Sequence, residues 1–292
     1  MPSLKEFRLR IASVKSTQKI TKALQMVATA KLKRAQEAAQ AARPYATRMA
    51  SVIANLAGSA KDGTGPKLIA GTGSDEVHLL VVLTAERGLC GGFNTNVAKL
   101  ARAEIKRLRD AGKTVKILTV GKKGNDALKR LYGQMIVGHI DRRSERTVTA
   151  AGAEAVAREI TRRFDAAEFD VATLVYAQFK NLLTQTPTTQ QLIPARAPAN
   201  APVVDLKGAS YIYEPSEEEI LEALLPRYLS TVILSALLET EAGFQGAQMT
   251  AMDNATRNAG DMIKSLQLRY NRARQAQITK ELIEIISGAE AL

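Results

Sequence analysis

The chain has 292 residues, 46% of them hydrophobic, and a formal net charge of +12 at neutral pH. That is enough apolar material to bury a sizeable core, in two ordinary domains or in one domain with an extended element. Aromatic residues make up only 4% and Trp is absent, so the core must be built from aliphatic side chains and Ala, which leans towards helices. The single cysteine, Cys90, excludes an internal disulfide and fits a reducing compartment. No apolar run approaches the ~20 residues of a membrane helix, and charges from Lys5 onward interrupt any signal-peptide core, so a soluble or peripheral protein is expected.

The positive charge is concentrated at the start. Residues 1–48 hold eleven Lys or Arg against two acids, Glu6 and Glu37, which is nine of the twelve net charges. A segment this basic calls for an acidic partner or wide solvation: nucleic acid, an anionic membrane or a negatively lined protein surface.

From Ser3 to Leu56 there is one proline, Pro44, and no glycine, which predicts one long helix of roughly 80 Å at 1.5 Å per residue. Leu4, Phe7, Ile11 and Val14 are spaced as a coiled-coil seam, which Ile20, Leu24 and Val27 are expected to resume after the polar stretch Thr17 to Lys19. Residues 58–74 contain five glycines and Pro66 and predict a flexible connection. The period then changes. Val77–Thr84 and Val115–Val120 read as strands, with a helix over Asn94–Asp110 between them and a short helix up to Gly133 after the second. Met135–Ile140 and Val171–Phe179 follow as strands separated by a helix near Thr149–Phe164. This alternation predicts a mainly parallel sheet covered by helices, onto which Thr188–Ala195 folds back as a hairpin. Ser216 to Glu219 form a capping box that opens a last helix. A heptad register running from Leu224, Tyr228 and Thr231 to Ile263, Leu266, Tyr270 and Ala273 marks that helix as a coiled coil.

Two long helices thus flank an α/β insert. Winding them antiparallel around each other is the cheapest way to bury both stripes, and the longer C-terminal helix should run on unaccompanied. The expected divisions are an N-terminal coiled-coil helix over 1–57, a linker over 58–74, a globular domain over 75–210 and a C-terminal coiled-coil helix over 211–292.

The chain carries little that suggests chemistry. The glycine clusters Gly88–Phe93 and Gly121–Gly124 each follow a strand, but neither has the spacing of a phosphate loop or a dinucleotide fingerprint. His78 and His139 are the only histidines, too few for a metal site or a Ser-His-Asp triad. No catalytic residue, cofactor or metal is expected. Nucleic-acid binding is disfavoured because Phe7 and Tyr45 are the only aromatics among residues 1–48 and the cations fall on several helix faces. Two alternatives remain: a nucleotide-binding α/β enzyme with a coiled-coil arm, and a basic coiled-coil protein that binds nucleic acid.

Three stretches carry a resemblance. They are Ile11 to Ala28, the loop Arg87 to Asn94, and the ending Tyr270 to Ile285 that includes Arg274, Gln275, Thr279 and Glu281. Together, and in this order, they resemble the gamma subunits of bacterial F-type ATP synthases over the whole chain. The resemblance implies a non-catalytic central rotor shaft: an antiparallel coiled coil of the N- and C-terminal helices with an inserted Rossmann-like α/β domain. It implies as partners three alpha and three beta subunits, the epsilon subunit and the membrane c-ring of a proton-translocating enzyme, leaves room for an inhibitory small subunit, and implies no nucleic acid. Arg274, Gln275, Thr279 and Glu281, with Lys19 and Lys22, are the implied contacts with the catalytic hexamer. Leu282, Ile283, Ile285 and Ile286 are the implied tip bearing, while Gly88, Cys90, Gly91, Gly92 and Asn94 belong to the globular end. The chain departs from the family where Phe244, Gln245 and Gln248 stand in place of a usual Glu and Arg before Met249, and where Leu24 replaces a usual Met. It also lacks the paired cysteines of the chloroplast regulatory insert, so thiol control is not implied. The implied location is peripheral, on the cytoplasmic face of the bacterial cell membrane, which a Met start without a transit peptide fits.

Overall fold

The computed structural model describes residues 3–59, 66–195 and 217–290. Along the chain lie α1 (Leu4–Ser59), α2 (Lys67–Ala70), β1 (Val77–Leu83), α3 (Phe93–Asp110), β2 (Thr114–Val120) and α4 (Lys122–Tyr132). A 3-10 turn (Gly133–Met135) leads into β3 (Ile136–Ile140), followed by α5 (Ala150–Asp165), β4 (Val171–Phe179), β5 (Gln185–Ile193) and α6 (Glu217–Glu290). The chain divides into two compact units, Met1–Thr29 with Gln248–Leu292, and Ala30–Ala247, so α1 and α6 contribute segments to both. The capping residue expected at Ser216 lies outside the described residues.

The larger unit is built on a five-stranded sheet in the order β3-β2-β1-β4-β5, with four parallel strands and β5 antiparallel to β4. The central strand β1 reads Val-His-Leu-Leu-Val-Val-Leu without alternation because both its faces are covered. On one face Leu80, Val82 and Ile117 pack with Val97, Ala101 and Ile105 of α3 and Leu128 of α4. On the other, Leu79, Val81 and Leu118 pack with Val156, Ile160 and Phe164 of α5 and with Leu229, Ile233 and Leu237 of α6. Thr149 caps α5 by accepting a hydrogen bond from the Gly152 amide at 3.1 Å. The hairpin onto β4 forms as expected, but β5 begins at Gln185 rather than Thr188. Its Pro187 is tolerated because β5 is an edge strand.

Of the stretch expected to be a flexible connection, residues 60–65 lie outside the described residues. α1 runs to Ser59, and α2 anchors the far end: Leu68 accepts from the Ala195 amide at 2.7 Å, and Leu68 and Ile69 pack beside Ile53, Leu221 and Leu225. Gly71, at φ +78, lies where a Cβ would come within 2.9 Å of the Pro194 ring. By length and composition alone α6 would also pass for a helix able to cross a membrane. Its apolarity has a local cause, since Leu225, Leu229, Ile233, Ala236 and Leu237 are buried within the larger unit.

In the smaller unit the α1 and α6 segments run antiparallel. Arg8 meets Tyr270, Thr21 meets Thr256 and Gln25 meets Asp253, so partner numbers fall on one helix as they rise on the other. The α6 seam is as expected: from Asp261 to Ala273 only Ile263, Leu266, Tyr270 and Ala273 are withdrawn from solvent. The α1 seam is not. It continues Leu4, Phe7, Ile11 and Val14 through Gln18, Thr21, Leu24, Gln25 and Ala28, whereas Ile20 and Val27 are 57% and 52% exposed. Strict alternation of three and four from Val14 leads to the polar positions, and geometry prevails over residue type.

Asp170 ties the amino-terminal edge of the sheet together, accepting from Thr72 Oγ1 at 2.6 Å and from the amides of Glu76 and Val77 at 3.0 and 2.9 Å. The Thr72 hydroxyl and these amides hold its pKa below the ordinary carboxylate value. A carboxylate depressed in the folded state adds stability above its unfolded pKa, about 4, and loses it as pH falls through the folded value. Asp170→Asn is therefore expected to cost on the order of 1–2 kcal/mol at pH 7. In denaturant melts across pH, that difference should shrink as the pH drops below about 4.

Candidate functional site

In a sheet of this type ligands settle beyond the carboxyl ends of the strands, where the strand order reverses, here between β1 and β4. At that place Ala85, Cys90 and Phe93, which follow β1, pack with Ala177 of β4 and Phe244 of α6. The first three amides of α4, the natural anion-binding donors of a helix start, are all taken. Lys122 donates to Glu86 Oε2 at 3.0 Å, Lys123 to the Ala85 carbonyl at 3.2 Å, and Gly124 to Thr84 Oγ1 at 2.7 Å. The other oxygen of Glu86 accepts from the Arg142 amide at 2.8 Å. Gly121 is glycine because β1 passes so close: at φ +98, a Cβ there would lie 2.2 Å from the Thr84 carbonyl oxygen. The Gly121–Gly124 cluster is thus a packing device and holds no free amide at the α4 start.

The other glycine cluster closes over the start of α3. Asn94 accepts from the Ala85 amide at 3.0 Å and donates to the Arg87 carbonyl at 3.1 Å and to Cys90 Sγ at 3.2 Å, pinning the loop at both ends. Cys90 is buried, and burial raises its thiol pKa. Gly91 and the non-glycine Leu89 take the left-handed conformation at φ +56 and +62. Gly88 and Gly92 complete the turn, and Phe93 packs edge-on against Phe244 of α6 at 6.2 Å. The loop residues Gly88, Cys90, Gly91, Gly92 and Asn94 are therefore brought together as one structural turn. His139 Nδ1 lies 3.0 Å from Thr119 Oγ1, and His78 Nε2, buried and without a hydrogen bond of good geometry, lies 2.8 Å from an Asp75 oxygen. Among the described residues no cluster of His, Cys, Asp and Glu is placed to hold a metal ion.

The remaining candidates belong to the smaller unit. Every residue of α6 from Arg274 to Ala289 is exposed, because pairing places Arg274 opposite the first residues of α1 and, among the described residues, none accompanies the helix beyond. Arg274 and Glu281, seven residues apart, share one side of the helix, with Thr279 facing away. Gln275 accepts from the Thr279 hydroxyl through its carbonyl at 3.0 Å, Gln277 donates to Glu281 at 3.0 Å, and Lys280 lies 3.5 Å from Glu284. Leu282, Ile283, Ile285 and Ile286 are 53–68% exposed. Ile278, 48% exposed, continues their stripe one turn earlier and was missed by the motif comparison. Lys19 and Lys22 are exposed on α1, Lys22 donating to Gln25 at 3.1 Å. They are not brought beside Arg274, since Lys22 lies alongside Thr256, roughly 25 Å back along the helix at 1.5 Å per residue.

Sequence reasoning missed the polar contacts between the helices. Arg8 directs Nε and Nη2 to the Tyr270 hydroxyl at 2.9 and 2.7 Å, and Gln25, Asp253, Thr21 and Thr256 form a polar layer within the seam. The signal was present in the heptad count from Val14, and it was overridden by the preference for apolar residues.

Among the described residues, the fold is that of an α/β unit and an antiparallel helix pair in which α6 continues past the start of α1. Residues 3–292 match the family described as ATP synthase. The ATP synthase gamma chain of Hyphomonas neptunium is 65% identical over 293 residues, with all of both chains covered. Among solved structures, a chain of the Tetrahymena thermophila mitochondrial ATP synthase central stalk and c-ring is 27% identical with a TM-score of 0.61, covering 81% of this chain and 99% of that one. A chain of the Euglena gracilis mitochondrial ATP synthase shares the fold at 17% identity and a TM-score of 0.64, covering 99% of this chain and 94% of that one. The chain belongs to the ATP synthase gamma chain family. It is a non-catalytic subunit, associated with the membrane-bound ATP synthase.

The close approach at Gly121 gives a direct test. Gly121→Ala should cost about 3 kcal/mol or more, through left-handed strain and collision with the Thr84 carbonyl. Gly91→Ala, where nothing lies within 4 Å, should cost only the strain of its φ, on the order of 1 kcal/mol. Chemical denaturation of the two variants side by side separates these costs.

Proposed function

We propose that the chain is the rotor shaft of a proton-translocating F-type ATP synthase, carrying torque between a membrane c-ring and a hexamer of alpha and beta subunits. The observation that carries this reading is the end of α6: after Ala273 it leaves its partner helix and presents a fully exposed, chemically uneven surface. A shaft biases a conformational equilibrium only through contacts that differ between states. Three catalytic interfaces around a helix with Arg274 and Glu281 on one side and Thr279 and Ile283 on the other would each meet a different face, and a turn of the shaft would exchange those contacts.

In this reading Arg274, Gln275, Thr279 and Glu281, with Lys19 and Lys22 lower on α1, contact loops of the hexamer. Leu282, Ile283, Ile285 and Ile286, joined by Ile278, form a bearing with few directional bonds to resist rotation. Residues 75–210 form the docking domain for the c-ring and the epsilon subunit, and an inhibitory small subunit would act on the same assembly. The complex lies on the cytoplasmic face of the bacterial cell membrane.

Charge reversal at both ends of the contact, Arg274→Glu with Glu281→Lys, should lower proton-driven ATP synthesis about tenfold, the equivalent of one lost charge-assisted contact. Co-purification of one copy with the alpha and beta subunits should be unaffected. Undiminished synthesis in a normally assembled complex would remove these residues from the contact set, and failure to co-purify the parent chain with such a ring would remove the rotor reading.

A further inference from the structure

The paired part of the smaller unit contains a polar layer in an otherwise apolar seam. Thr21 and Thr256 share a hydrogen bond of 2.7 Å between hydroxyls, Gln25 donates to Asp253 at 2.9 Å, and Gln18 donates to the Thr256 carbonyl at 3.4 Å. Arg257 is ion-paired to the second oxygen of Asp253. Thr21 is buried and Gln18, Gln25, Asp253 and Thr256 are half-buried. Toward the start of α1 the seam is carried by side chains such as Phe7, Ile11, Val14, Ala259, Ile263 and Leu266, and on the other side of the layer Ala28 and Met252 are buried.

An apolar seam repeating every seven residues does not by itself choose one axial alignment, because a slip of one heptad, about 10.5 Å, again places apolar residues opposite one another. The polar layer does choose. Slipped one way, Thr21 would face Ile263 and Gln25 would face Gly260; slipped the other way, Thr21 would face Met249. Either slip separates the Thr21 and Thr256 hydroxyls, and the first sets the Asp253 carboxylate opposite Leu32 while the second sets it opposite Gln18; the lost pairs carry a penalty on the order of tenfold in population. We propose that Gln18, Thr21, Gln25, Asp253, Thr256 and Arg257 form a register lock that holds the two antiparallel helices in a single axial alignment. The lock is a property of the chain alone; only its use, resisting slippage under torque, rests on the rotor reading.

The test is disulfide trapping in the full chain with Cys90→Ala as background. Ile11→Cys with Leu266→Cys reports the native alignment, and Ile11→Cys paired with Ala273→Cys or with Ala259→Cys reports a slip of one heptad in each direction. With the polar layer intact, oxidation should close the native pair and leave both slipped pairs as thiols. Replacing the layer by apolar residues of similar shape (Thr21→Val, Gln25→Leu, Asp253→Leu and Thr256→Val together) should raise closure of a slipped pair about tenfold or more while helical content by circular dichroism is kept. The isosteric Thr21→Val, Thr256→Val chain should show a smaller rise and serves if the fourfold variant loses helix. Slipped pairs that stay open in a helical variant would overturn the proposal. So would loss of helix in both variants, because the layer would then be needed for pairing itself and not for alignment.

Discussion

The smaller unit depends on the way α1 and α6 cover each other. A helix as long as either draws its stability in water mainly from packing one face against something else. Between Leu4 and Thr29 on one helix and Gln248 and Ala273 on the other, each supplies the surface that the other requires. Where α1 begins, that mutual cover stops, and the exposure of every residue from Arg274 to Ala289 follows directly. Five large aliphatic side chains stand in that region at 48–68% exposure, a density of apolar surface that a second molecule is suited to cover.

The seam is held by two kinds of interaction with different jobs. Apolar residues supply most of the free energy, about 1.5–3 kcal/mol for each large side chain fully withdrawn from water. Polar contacts such as Arg8 to Tyr270 and Gln25 to Asp253 each contribute nearer 1 kcal/mol net, but they are directional and become costly when misaligned. A pair of helices that bears load along and around its axis benefits from both, adhesion from the first and a defined alignment from the second.

In the larger unit the helix start after β2, where a fold of this type can meet a phosphate, is taken up by the chain's own groups. The glycines after β2 exist to let β1 pass close by, and the amides that would face a phosphate are satisfied by Thr84, Ala85 and Glu86. Fold and function separate at this point: the sheet and its helices supply a packed core, and the amides at the α4 start serve that packing.

Much of this was legible in the chain itself. The strand and helix alternation, the hairpin return of β5, the α6 register and the absence of phosphate-binding spacing follow from periodicity and from glycine positions, because those signals are local. The tertiary structure decided what local signals could not. Ile20 and Val27 look like seam residues by type, yet they face outward, because the partner helix reads position along the heptad and finds Gln18, Thr21 and Gln25 there. The apolar run of α6 looks like a membrane span by composition until the sheet accounts for it. Sequence by itself determined which elements form and that two long helices must pair. Their register, and the point at Ala273 where pairing ends, were decided only by packing, because those depend on which residues of two segments more than 200 positions apart come to lie opposite each other.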